Sequence, residues 1–310
     1  MLRYILNRLL QLIPILIIVS FIVFWLMSLA GDPASTIMGD LATAEQIEAR
    51  REAMGLNRPV IVTYAEYIWG VMRGDLGTSI YGHNVWEQFS NRFPYTVLLA
   101  FASITLTVIV SVPLGIIAAL KKGTWVDAGV SAFAVFGVSA PPFWLGLIMM
   151  IVFGVMLGWL PTSGIQQGVL RSLILPASTS AITALATMTR MTRSSMLDNL
   201  GADYLRTARS KGVRERRVVW KHALKNALLP IITTIGGQFS ILIGGAVTLE
   251  IVFAWPGIGN LIITSVRSND YIMVTGCVIM VTLMLALGIL IVDIAYALVD
   301  PRIKAQYSGK

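Results

Sequence analysis

Long uncharged runs alternate with short charged ones along this chain. A helix needs about 20 mostly apolar residues to cross a bilayer. Residues 9–30 meet that length with Gln11 as the one strongly polar side chain. Residues 95–119 and 130–160 carry no charge, and the second run is interrupted by Pro141 and Pro142. Residues 173–188 are weaker, rich in Ser, Thr and Ala. Residues 227–253 hold one acid, Glu250, and residues 271–298 hold one, Asp293. The pattern predicts six transmembrane helices and an all-α integral membrane fold. Residues 9–30 are too long an apolar core for a signal-peptide h-region, so the first span is expected to be retained. Proline removes a backbone donor and clashes with the preceding turn, which predicts a kink at Pro141-Pro142 in the third span.

The segments between spans carry local signals. In residues 31–94, Ala44 to Ala53 predicts a helix capped by Thr43 and stopped by Gly55 and Pro59. Residues 60–71 are apolar and aromatic-rich and are expected along the membrane surface; Gly74-Asp75-Leu76-Gly77 reads as a turn. This piece is too short for a large core and is expected to cap the membrane helices. A second stretch, residues 190–230, divides at Gly212. Asp203 to Lys211 predicts a short helix, with an acid in its first turn and Arg209 and Lys211 in its last. Gly212 is then a C′ stop. Beyond it, Trp220, Ala223, Leu224, Ala227 and Leu228 are expected on one helical face, with Arg214, Arg217, Lys221 and Lys225 on another. That describes an amphipathic helix at lipid headgroups.

Composition removes the soluble alternatives. Hydrophobic residues make up 56% and charged residues 13%, about half the usual charged share of roughly 25%. A soluble enzyme, a disordered chain and a secreted disulfide scaffold are excluded, and the single Cys277 has no internal partner. The net charge of +8 is a matter of location. With a cytoplasmic N-terminus, 17 Lys and Arg fall inside and 7 outside, while residues 31–94 hold eight acids against five Arg. The asymmetry places both termini in the cytoplasm and gives no argument for nucleic acid.

Candidate chemistry is sparse. No GxxxxGK[ST] run occurs, and the only Gly-Lys pair is Gly309-Lys310, so no ATP hydrolysis is expected from this chain. A zinc protease needs clustered ligands, whereas His83 and His222 fall on opposite sides of the membrane; no metal and no cofactor are expected. Acids inside spans mark functional sites when they line a path. Glu250, near the outer end of span five, reads either as a gate or as an interfacial acid bonded to the Trp255–Gly259 loop. Asp293 reads as the partner of a cytoplasmic-side base. Pro141 and Pro142 either shape a cavity or serve packing alone. Because the intramembrane acids are few and peripheral, an ion-coupled secondary transporter is the remote alternative.

From Asp203 to Pro230 the chain reads DYLRTARSKGVRERRVVWKHALKNALLP. This resembles the cytoplasmic EAA-type loop of ABC importer permeases, in the dipeptide/oligopeptide branch. The N-terminal RYILNRLLQLIP, Gly31-Asp32-Pro33, Gly74-Asp75-Leu76-Gly77, Trp255-Pro256-Gly257-Ile258-Gly259 and DIAYALVDPR from Asp293 resemble its B-type subunit. The general motif's acid is replaced by Arg206; only Ala208 and Gly212 match, and the nearest upstream acid is Asp203. The resemblance implies a cytoplasmic N-terminus and first span over residues 1–30, an extracytoplasmic segment over 31–94, and a five-span permease core over 95–310 with a coupling loop at about 197–229. Asp203, Arg206, Thr207, Ala208, Arg209, Gly212, Leu229 and Pro230 are then the residues that couple to an ATPase. It further implies a second homologous permease, two ATP-binding subunits that hold ATP and Mg, and an extracytoplasmic substrate-binding protein, all at the inner (cytoplasmic) membrane. The implied cargo is di- or oligopeptides; nickel or other metal chelates, opines and glutathione are alternatives.

Overall fold

The computed structural model describes the backbone of residues 2–39 and 41–299, and the side chains of these residues other than 2–9, 136, 138, 139, 229, 240 and 291–299. The Asp293 side chain and Arg302, Lys304 and Lys310 lie outside the described residues. Among the described residues the fold is all-α, with one isolated bridge between Thr78 and Asn84. In chain order the helices are α1 (Leu2–Ala30), α2 (Pro33–Met38), α3 (Ala44–Ala53), α4 (Val60–Met72), α5 (Val85–Leu120), α6 (Trp125–Ser139) and α7 (Pro142–Met149), then α8 (Val169–Leu200), α9 (Asp203–Ser210) and α10 (Glu215–Arg217). After these come α11 (Leu224–Gly245), α12 (Val247–Val252), α13 (Ile258–Arg267) and α14 (Tyr271–Val299). Wider π turns follow α7 (Met150–Met156) and α10 (Val218–Ala223).

Four helices among the described residues are long and apolar enough to span a membrane, and a fifth forms if Glu215–Leu228 and Pro230–Gly244 act as one bent element. The third expected span is broken rather than kinked. Ala140 and Pro141 are extended (ψ 129° and 135°), and Pro142 restarts the chain at N1 of α7, where its missing N–H costs nothing. The fourth expected span runs well beyond residues 173–188, as the 32-residue α8, with Pro176 inside it.

Contacts group the chain into two units. One unit comprises residues 2–96 and 256–287. Its core joins Leu76, Val85 and Phe89 to Ile258, Leu261, Met273, Cys277 and Met280. Here the short-range signals hold: Thr43 and Gln46 close a capping box on α3, and the Gly77 N–H donates to the Asp75 carboxylate at 2.8 Å in the turn. Tyr64 of α4 donates to the Ile17 carbonyl at 2.8 Å and lies 2.9 Å from the Ser20 hydroxyl, which ties α4 to α1. Asp270 caps α14 through the Met273 N–H (3.1 Å) and accepts a hydrogen bond from Ser79.

The other unit comprises residues 97–255 and the chain from Gly288. α8 is its most buried long helix, packed by α6, α7 and α11. Small residues permit this: a Cβ on Gly137 would stand 2.7 Å from the Ile182 carbonyl oxygen, and one on Gly115 only 2.6 Å from Thr192. At the start of α6, Asp127 receives two hydrogen bonds from the Arg193 guanidinium of α8 (2.6 and 2.8 Å) and one from the Gly123 N–H (3.0 Å).

Candidate functional site

The stretch that follows α8 folds as a helix seated on its own core. Leu205 is fully buried in a cluster with Ile116, Ala119, Met196, Val218, Val219, Ala223 and Ala227. Burying such a leucine contributes roughly 1.5–3 kcal/mol, enough to hold an eight-residue helix that would not persist alone in water. The opposite face is open: the side chains of Asp203 and Arg206 are 97% and 80% exposed, and Tyr204 is exposed beside them. Ala208 is half-buried against the cluster, so its small size serves the seating of α9.

The end of α9 is a Schellman stop. The Gly212 N–H donates to the Arg209 carbonyl (2.9 Å), and the Val213 N–H to the Ala208 carbonyl (3.3 Å). Gly212 sits at φ +74°, the left-handed position expected from the sequence. Arg209 reaches across this turn to Glu215 with two hydrogen bonds, 3.1 and 2.8 Å, which hold the Glu215 carboxyl below its ordinary pKa. Thr207 spends its hydroxyl on the Asp203 carbonyl at 3.2 Å. Arg206 therefore remains the outward-facing cation of α9, while Arg209 staples the loop to itself.

Beyond the turn the expected face is corrected. Ala223 and Ala227 are buried, but Trp220 and Leu228 are exposed and Val218 and Val219 take their place inside. The π turn at Val218–Ala223 shifts the register that 3.6-residue spacing assumes. Pro230 lies inside α11, at the start of its second straight segment, where the axis bends by 49° between Leu228 and Pro230. The backbone of Leu229 belongs to α11, and its side chain lies outside the described residues. Ser195 of α8 donates to the Ala227 carbonyl at 3.0 Å, fastening the two helices that flank the loop.

The suggested pathway residues separate. Pro142 lines a cavity of about 210 Å³ with Ser180, Thr183, Thr187, Gln238 and Thr248. Pro141 precedes α7 as its cap. Glu250 is fully buried, one position past the lining residue Leu249, and its backbone carbonyl accepts from the Trp255 N–H at 2.8 Å. The main chain of Glu250 thus contacts the loop that follows it. Sequence reading passed over the hydroxyls of α8, although Ser180, Thr183 and Thr187 recur at helical spacing on one face. It also passed over Asp127 and Arg193, which no local signal pairs across 66 positions.

Apolar helices long enough to cross a bilayer, with a loop folded on its own core between two of them, are the features of a membrane subunit. The family model "Binding-protein-dependent transport system inner membrane component" matches residues 111–305, and its N-terminal counterpart matches residues 1–100. The chain belongs to this family, and it is the permease of an ABC importer that works with other ABC subunits at the inner membrane. It is 40% identical over 308 residues to a chain of Brucella abortus (strain 2308) that bears the name of a peptide transport system permease protein, covering 97% of this chain and 98% of that one. It is 42% identical over 306 residues to the glutathione transport system permease protein GsiC of Salmonella typhimurium (strain LT2), covering 98% and 99%. The membrane fold of the inward-facing MetNI methionine ABC transporter is similar, with TM-scores of 0.56 and 0.59 in two crystal forms at 18% and 17% identity, over 69% of this chain and 97% and 96% of those.

Proposed function

We propose that this permease passes short peptides across the inner membrane in a complex with a second, homologous permease, two ATP-binding subunits and an extracytoplasmic binding protein. In this reading the chain has six spans with both termini in the cytoplasm, residues 31–94 lie outside, and ATP and Mg act only in the ATP-binding subunits. This chain catalyses no reaction. The observation that carries the coupling role is the seating of α9: a helix anchored by Leu205 and stopped at Gly212 moves as one body with the ends of α8 and α11. Asp203, Arg206 and Tyr204 present its open face to an ATPase, while Thr207, Ala208, Arg209, Gly212, Leu229 and Pro230 belong to the support behind it. The cavity at Pro142 supports a path for peptides, because the uncharged hydroxyl and amide groups of Ser180, Thr183, Thr187, Gln238 and Thr248, set among apolar residues such as Ile241 and Leu242, match a peptide backbone without selecting a charged side chain. Glu250 and Pro141 adjoin in sequence the lining residues Leu249 and Pro142.

Two measurements test the reading. The native Cys277 is buried and free, so single cysteines placed at Gly39 and Ser308 can be labelled with little background. They are expected to react from opposite faces of the membrane; reaction of both from outside overturns the six-span arrangement. The binding protein that stimulates ATP hydrolysis by the reconstituted complex is expected to carry short peptides. A metal chelate, an opine or glutathione retained in their place would leave the machine standing and reassign its cargo.

A further inference from the structure

The loop has a second surface at the stop of α9. Here Lys211, Arg214, Arg216 and Arg217 line an open concavity of about 890 Å³ completed by Gly212, Val213 and Trp220. The one acid in this stretch, Glu215, is occupied by Arg209. Among the described residues none of the four cations makes an ion pair. Four unneutralised cations so close together repel one another, and an anion bound among them relieves that repulsion.

The position of the concavity says which anion. The apolar run of α11 starts within about four turns of it, at ~3.6 residues per turn. The 49° bend between Leu228 and Pro230 turns the basic segment away from the axis of Pro230–Gly244. Lys221 and Lys225 are exposed along the same segment, and Trp220, 55% exposed, provides an amphipathic ring of the kind that sits at headgroup depth. Clustered Lys and Arg directly beside a span attract anionic lipids.

We infer that the Lys211–Trp220 concavity binds the phosphate of an anionic phospholipid headgroup, with Trp220 at the lipid interface. Gly212 and Val213 belong both to this concavity and to the stop of α9, so an occupied site holds the coupling helix in its docking position. The inference rests on the proposed function in setting α11 within the bilayer and in taking α9 as the coupling helix.

The complete complex, reconstituted in nanodiscs of phosphatidylcholine alone or with phosphatidylglycerol added, tests it. Binding-protein-stimulated ATP hydrolysis by the wild type is expected to rise severalfold with phosphatidylglycerol, and native mass spectrometry is expected to find that lipid retained after mild delipidation. The triple variant Arg214→Gln/Arg216→Gln/Arg217→Gln should lose both effects while the ATP-binding subunits still co-purify. The single Arg216→Gln variant, at an exposed side chain, gives a weaker form of the same loss and serves if the triple variant does not fold into the membrane. Loss of the ATP-binding subunits from either variant would mean a protein docking surface and overturn the lipid assignment. Full stimulation by inorganic phosphate in phosphatidylcholine discs, or a wild-type lipid response in the variants, would overturn it equally. Failure of the six-span labelling test would leave these lipid measurements standing and is read separately.

Discussion

A Gly212→Val chain is expected to insert and assemble but to transport at about a tenth of the wild-type rate or less, since a left-handed position costs an L-residue roughly 1–2 kcal/mol, more when β-branched, and each 1.4 kcal/mol is tenfold. The expected loss is purely conformational. Gly212 lies at φ +74°, and nothing stands within 4 Å of where a Cβ would be, so no clash accompanies the strain. Relief of the strain would unwind the Schellman stop and release the Arg209–Glu215 staple beyond it. The span helices are untouched, so abundance in the membrane should hold. Gly212→Asn is the control: asparagine tolerates the left-handed region and should retain most uptake. Uptake assayed beside co-purification of the ATP-binding subunits distinguishes a loosened lever from a dismantled complex. Wild-type uptake by Gly212→Val would show that coupling runs elsewhere.

Asp127→Asn is expected to lower the thermal midpoint of the purified permease clearly. The loss stays below that for breaking a fully buried pair, because the Arg193 side chain keeps 29% exposure against 9% for Asp127. The variant keeps one acceptor oxygen but leaves the Arg193 charge half-buried without its counter-charge. Since Arg193 rides on α8, which leads directly into α9, uptake should fall along with stability. The double variant Asp127→Asn/Arg193→Gln removes the uncompensated charge and is expected to recover most of the loss. A double variant as unstable as the single would mean that the hydrogen bond to the Gly123 N–H, not the ion pair, holds this corner.

Gly212 was legible in the sequence, because a helix stop is a local event: an acid-to-base gradient over eight residues followed by glycine already specifies it. The caps at Thr43 and the turn at Asp75 were legible for the same reason. So was the class of the protein, since uncharged runs of 20 residues have few destinations other than a bilayer. The motif of residues 203–230 then narrowed that class to an ABC permease.

Packing decided the rest. The Asp127–Arg193 pair joins positions far apart in the chain, and no spacing rule connects them. The burial of Ala208 followed from which side of α9 meets the Leu205 cluster; the sequence marks the residue as small without saying which way it faces. Trp220 fell on the open side because a π turn resets the helical register, a change invisible to a fixed period of 3.6. The proline pair announced an interruption, but whether the chain bends or breaks at Ala140 depended on the neighbours available to take up the freed backbone groups. The sequence by itself determined the apolar helices, their local caps and the loop that carries the coupling motif, because each depends on residues within a few turns. Only the tertiary structure decided which face of each helix is inward and which charges meet, because burial belongs to the packed assembly of helices and not to any one stretch of chain.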